Sequence, residues 1–163
     1  MIGPARRKRI LWLTVIAAVV FALDQYSKYW LLYEYGIAQR GPVQLCEYFA
    51  LVMAWNKGVS FSMLAHSAQW MPWVLVALAL VISGVLVRLC LASDRAWERV
   101  GYAMVVGGAM GNAIDRLRYG AVADFFYAHV GEQGFPAFNV ADMAICCGVG
   151  LLLLHLMKKP AAA

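Results

Sequence analysis

The sequence predicts an all-α integral membrane fold, with four transmembrane helices and a small extracytoplasmic β-cradle between helices 1 and 2. Three observations carry that expectation. Of the 163 residues, 63% are hydrophobic and 14% charged, and the mean hydropathy is +0.67, far too apolar for a soluble domain of ordinary composition. Four apolar stretches are long enough to span a hydrocarbon core of ~30 Å at about 1.5 Å per residue. The basic residues, which set a net charge of +5, cluster beside those stretches, as in membrane orientation and not as in nucleic-acid binding. A single domain over 1–163 follows, with spans at 10–33, 70–91, 95–116 and 139–157 and the cradle at 34–69.

Arg6-Arg7-Lys8-Arg9 precedes the first apolar run, an arrangement shared with cleavable signal peptides. No A-x-A site follows, and apolar character resumes after Lys28 through Tyr29-Trp30-Leu31-Leu32, so the run is read as the first span. Asp24 and Lys28 are four residues apart and share one helix face, as a structural ion pair or as a direct substrate contact. From Glu34 to Gln69 the composition turns polar and aromatic, with turn signals at Gly36, Gly41-Pro42 and Gly58 and strand-length runs such as Tyr48 to Met53. Within it, Asn56-Lys57-Gly58-Val59-Ser60-Phe61-Ser62 reads on its own as a turn.

The second span opens with Pro72 in its first turn, Trp70 and Trp73 at an interface, and no charge from Met71 to Val87. Ser93 or Asp94 is the expected N-cap of the third helix, where Gly107, Gly108 and Gly111 let neighbouring backbones approach closely. Segment 119–138 leaves that helix with Gly131, Gly134 and Pro136, and suits either an active-site lid or a disordered connection. Arg6 to Arg9, Arg88, Arg95, Arg99, Lys158 and Lys159 fall on one side of the membrane, so both termini are expected in the cytoplasm.

Five polar side chains then stand out in apolar surroundings: Asn112, Asp115, Arg116, Asp124 and Asp142. Burying a carboxylate costs several kcal/mol unless it is paired or protonated, so acids in such sequence call for an explanation. Asp124 and Asp142 flank the segment joining the last two helices, and two nearby carboxylates tend to share one proton. One acid can then polarise a carbonyl while the other deprotonates water, as in aspartic proteases. Asp142, three residues after Asn139 at a helix start, is expected to carry the charge and Asp124 the proton. Scattered His66, His129 and His155 argue against a zinc site, and Cys46, Cys90, Cys146 and Cys147 lack CxxC spacing, so no metal and no cofactor is expected. The residues alone leave three readings open: a peptidase, a proton-coupled transporter, and an assembly subunit whose acids pair with Arg116 and Arg118.

Asp24-Gln25-Tyr26-Ser27-Lys28, Asn56-Lys57-Gly58-Val59-Ser60-Phe61, Gly111-Asn112-Ala113-Ile114-Asp115-Arg116, Val122-Ala123-Asp124-Phe125 and Phe138-Asn139-Val140-Ala141-Asp142 occur in one order along nearly the whole chain. Together they resemble the motif set of bacterial lipoprotein signal peptidase, signal peptidase II. The resemblance implies a four-helix aspartic endopeptidase of the bacterial inner membrane, its site facing outward near the outer leaflet. Its substrates would be diacylglyceryl-modified prolipoproteins, cut just before the lipidated cysteine. It implies Asp124 and Asp142 as catalytic pair, Asn56, Gly58, Asn112, Arg116 and Asn139 as residues positioning substrate or supporting the pair, and Asp24, Lys28 and Asp115 as structural. Globomycin-type inhibitors, membrane lipid and a monomeric state belong to the same expectation.

Overall fold

A computed structural model describes residues 3–58, 70–131 and 133–158. Its elements run α1 (Pro4–Tyr29), a π-helical turn (Trp30–Glu34), α2 (Ile37–Arg40), β1 (Val43–Cys46), β2 (Phe49–Asn56), α3 (Met71–Ala92), α4 (Ala96–Tyr119), β3 (Val122–Val130), β4 (Gln133–Gly134) and α5 (Val140–Lys158). Two helical stretches, Arg6–Glu34 and Met71–Ala92, are long and apolar enough to cross a membrane, and Val140–Leu154 is a shorter apolar helix.

Helix α1 starts earlier than its hydropathy predicts. Gly3 precedes Pro4 at the first helical position, where a missing N–H costs nothing, and the basic residues that follow are good helix formers. Helix α4 instead starts later and overruns its predicted end. Arg95, in extended conformation, is the N-cap, not Ser93 or Asp94; the Ser93 hydroxyl accepts the Arg95 N–H at 3.2 Å. Gly120, at φ 70°, stops α4 after Tyr119 because that left-handed conformation suits a residue without Cβ.

Helix α4 is central, packing against α1, α3 and α5. Its glycines make the contacts close: a Cβ on Gly107 would sit 2.7 Å from the Ala17 carbonyl of α1, and one on Gly108 would sit 2.5 Å from the Ala141 carbonyl of α5. With Gly111, whose Cβ would meet Asp24 and Ala141, these crossings bring the first turn of α5 and the C-terminal half of α1 against the C-terminal half of α4.

The sheet is larger than a cradle between the first two long helices. Its antiparallel order is β1-β2-β3-β4, so half its strands come from the segment between α4 and α5. The sequence predicts a lid or a disordered connection there, whereas Val122 to Ala128 pairs along β2 from Asn56 to Phe49. The run Val122-Ala123-Asp124-Phe125-Phe126 is β-prone, and its aspartate and the later glycines mask the signal. Leu31, Ile37, Ala123 and Phe125 form a buried core beneath the sheet.

Polarity is inverted relative to a water-facing domain. Leu11, Trp12, Val19, Leu78 and Val81 are exposed, while Asp24, Lys28, Asn112, Asp115, Asp124 and Asn139 are buried. An apolar exterior around ionisable groups is the arrangement hydrocarbon surroundings favour, and it makes the buried groups candidates for function.

Candidate active site

The start of α5 is built as a reciprocal cap. The Asn139 Oδ1 accepts the Asp142 N–H at 3.0 Å, and the Asp142 Oδ2 accepts the Asn139 N–H at 3.2 Å. An amide at the N-cap and an acid three residues on thereby satisfy two of the donors a helix start leaves free. A third, the N–H of Ala141, goes to Asp24 Oδ1 of α1 at 3.0 Å. Local sequence thus fixes where Asp142 points.

Asp124 reaches the same place from β3, opposite Ala54 of β2. The Asn139 Nδ2 donates to Asp124 Oδ1 at 2.6 Å, so one residue bonds both acids. Asn112 of α4 closes the bracket: its Nδ2 donates to Asp142 Oδ1 at 2.8 Å, and its Oδ1 accepts Asn139 Nδ2 at 3.2 Å. Asp124 is 1% exposed, whereas Asp142 is only partly buried. Burial first, and the nearby Asp142 charge second, push the Asp124 carboxyl from 3.8 up to about 6, against the lowering effect of hydrogen bonds from Asn56 and Asn139. A carboxyl so poised can hold or release a proton near neutral pH.

Behind the acids lies a buried ionic cluster. Lys28 Nζ lies 2.8 Å from Asp24 Oδ2, 2.7 Å from Asp115 Oδ2 and 3.3 Å from Asn112 Oδ1. Asp115 Oδ2 also accepts the Ala123 N–H at 3.3 Å, which fixes β3 one residue before Asp124. Breaking such a buried pair by removing one partner typically costs ~3–5 kcal/mol, because the other charge is left uncompensated. Gln25 stands in the first motif with no role assigned by the sequence. Its Nε2 donates to Asp24 at 3.1 Å and to Asp115 at 3.0 Å; its place beside Asp24 was the only sequence signal.

Asn56 ends β2 and its Oδ1 accepts the Gly58 N–H at 2.8 Å, an Asx-type turn. Gly58 has φ 79°, and a Cβ there would strike the Leu75 side chain of α3. Arg116 donates from Nη1 to the Asn112 carbonyl at 3.2 Å, and its buried Nε has no partner among the described residues. Val59, Ser60, Phe61 and Ser62 of the second motif lie outside the described residues. Each predicted site residue therefore falls in one region: Asp124, Asp142, Asn56, Asn112 and Asn139 in the network, Gly58 and Arg116 beside it, and Asp24, Lys28 and Asp115 behind it.

The fold and the sequence both have relatives. A bacterial membrane enzyme solved by the in meso method at 1.9 Å resolution superposes with a TM-score of 0.79 at 24% identity, covering 93% of this chain and 96% of that one. A second, solved in the same way at 2.3 Å, gives 0.76 at 24% identity over 94% and 95%. The lipoprotein signal peptidase of Azoarcus sp. (strain BH72) is 44% identical over 153 residues, 92% of this chain and 84% of its own. That of Vibrio parahaemolyticus serotype O3:K6 is 35% identical over 153 residues, 93% of this chain and 89% of its own. Residues 16–158 match the family model described as signal peptidase (SPase) II. With that match over most of its length, and with relatives of this identity, the chain belongs to the signal peptidase II family of membrane proteases.

Proposed function

We propose that this protein is an aspartic endopeptidase that removes the signal peptide of diacylglyceryl-modified prolipoproteins by cutting before the lipidated cysteine. The observation that carries the reading is the pair Asp124 and Asp142, brought from β3 and α5 onto the amides of Asn139 and Asn112. The whole chain is one integral-membrane domain of four spans, α1, α3, α4 and α5, in the bacterial inner membrane. Both termini lie in the cytoplasm and the acids face outward. The inverted polarity and the skewed distribution of basic residues support this placement. The protein acts as a monomer without metal or cofactor, and globomycin-type peptides compete for its site.

At rest Asp142 carries the charge and Asp124 the proton. Both Asp142 oxygens accept N–H donors, and Asp124 is the more deeply buried. In the first step Asp142 takes a proton from a water whose oxygen attacks the scissile carbonyl carbon, while Asp124 gives its proton to the carbonyl oxygen. A neutral gem-diol results, with Asp142 protonated and Asp124 ionised. In the second, Asp142 protonates the amide nitrogen, Asp124 takes a hydroxyl proton back, and the C–N bond breaks. The signal peptide leaves with a new carboxyl group, the lipidated cysteine with a new amine, and both acids regain their resting forms. Arg116, whose Nε has no partner among the described residues, holds a substrate backbone carbonyl.

The substrate class suits a membrane site. Acyl chains on the cysteine hold it in the outer leaflet while the signal helix crosses the bilayer, so the scissile bond waits at the interface. Tethering there removes much of the entropy cost of encounter. The test uses purified protein in detergent with a prolipoprotein precursor, with and without the diacylglyceryl group, and product masses as readout. The reading predicts cleavage of the lipidated precursor alone, directly before the modified cysteine. Equal cleavage of both precursors, or cleavage elsewhere, would overturn it.

A further inference from the structure

We propose that Lys28 is a positioning residue for the acid pair: it locks the Asn112 side chain with its NH2 toward Asp142, which fixes the charge on Asp142 and the proton on Asp124. The inference rests on the reading of these acids as the catalytic pair. Lys28 is buried and its ammonium faces three acceptors, the two carboxylates of Asp24 and Asp115 and the Asn112 Oδ1. Two carboxylates already more than neutralise one ammonium, so the third contact is not needed to satisfy its charge. That contact points toward the acids.

The Asn112 amide has two ends with opposite demands. Its Oδ1 receives Lys28 Nζ and Asn139 Nδ2, both donors, and its Nδ2 faces Asp142 Oδ1. Flipping the amide would set its NH2 against an ammonium and another NH2, and its carbonyl against a carboxylate. With the proton on Asp142 and the charge on Asp124, a flipped Asn112 could accept from the Asp142 hydroxyl; Lys28 removes that alternative. An ammonium cannot accept a hydrogen bond, so it reads the Asn112 orientation without ambiguity. Among the described residues, the charged groups around the pair are Asp24 and Lys28 from α1, Asp115 and Arg116 from α4, Asp124 from β3 and Asp142 from α5. From β2 comes Asn56, which does not titrate.

The test compares wild type with Lys28→Met/Asp115→Asn in the full-length protein, with kcat/KM on a lipidated precursor measured against pH. The double variant removes one positive and one negative charge, so the cluster keeps its wild-type net charge while the ammonium's hold on Asn112 is gone. The expected result is that the acid limb, which needs Asp142 ionised, lies at higher pH than in wild type, with a lower maximum. Coincident limbs at a lowered maximum would mean that Lys28 only braces the fold, and would overturn the proposal while leaving the catalytic reading intact. Full activity in Asp124→Asn would overturn both. A measurement on the wild-type chain needs no variant to fold: carboxyl-labelled aspartate NMR in the singly protonated state is expected to find the proton on Asp124. Finding it on Asp142 would overturn the proposal.

Discussion

Asn139 joins three things at once, so its removal has a cost that can be worked from the structure. Its Oδ1 caps α5 through the Asp142 N–H, and its Nδ2 serves Asp124 at 2.6 Å and Asn112 at 3.2 Å. Loss of an N-cap costs about 1 kcal/mol. Leaving a buried acceptor such as Asp124 Oδ1 without this donor costs ~1–3 kcal/mol more. Asn139→Ala should therefore destabilise the protein by roughly 2–4 kcal/mol, the sum of those two effects. Asn139→Ser separates them, because a serine still caps but cannot reach Asp124. It should recover about 1 kcal/mol of the loss while leaving turnover as low as in Asn139→Ala. Removing an amide that lowers the Asp124 pKa should also move that titration above about 6. Thermal denaturation in detergent, with cleavage rates on the same samples, reads both effects. Asn139→Ala within 0.5 kcal/mol of wild type, or Asn139→Ser with normal turnover, would refute the assignment of Asn139 as the joint between cap and acids; about 0.5 kcal/mol is what a featureless surface position gives.

Other consequences follow from the same geometry. Asp124→Asn should stabilise the protein at neutral pH. The folded carboxyl binds its proton more tightly than the unfolded one, so wild-type stability is lost as pH rises from about 4 through about 6. The variant escapes that loss, with a ceiling of about 3 kcal/mol for a rise from 3.8 to about 6, and the advantage should vanish below about pH 4 in denaturation curves. Gly108→Ala should force α4 and α5 apart, since its Cβ would meet the Ala141 backbone at 2.5 Å. Destabilisation of ~1–3 kcal/mol and slowed cleavage are expected, and unchanged values in both assays would count against α4 as the helix that seats Asp142.

The long helices were legible because hydropathy over some 20 residues is a strong signal and Pro72 fits a first turn; the stop at Gly120 was not read, and α4 runs on past Arg116 to Tyr119. The acids were legible for the opposite reason: Asp124 and Asp142 interrupt apolar sequence with no basic residue within four positions of either to pair with. Strand β3 was harder. Its partner β2 lies some 70 residues away, and no local pattern announces a pairing that depends on the α3–α4 hairpin bringing the two together. The reciprocal cap of Asn139 and Asp142 was half visible, since the spacing places the acid at a helix start, but its bonds to Asp124 and Asn112 are long-range. Gln25 was missed because an amide on a helix carries no mark of what faces it.

The most direct test of the central claim measures single-turnover cleavage of a lipidated precursor by wild type, Asp124→Asn and Asp142→Asn, with the thermal midpoint of each sample recorded alongside. Both variants are expected to remain folded and to lose at least about a thousandfold in rate, because each acid holds or moves a proton in the reaction. A folded variant that cleaves within tenfold of wild type would contradict the account.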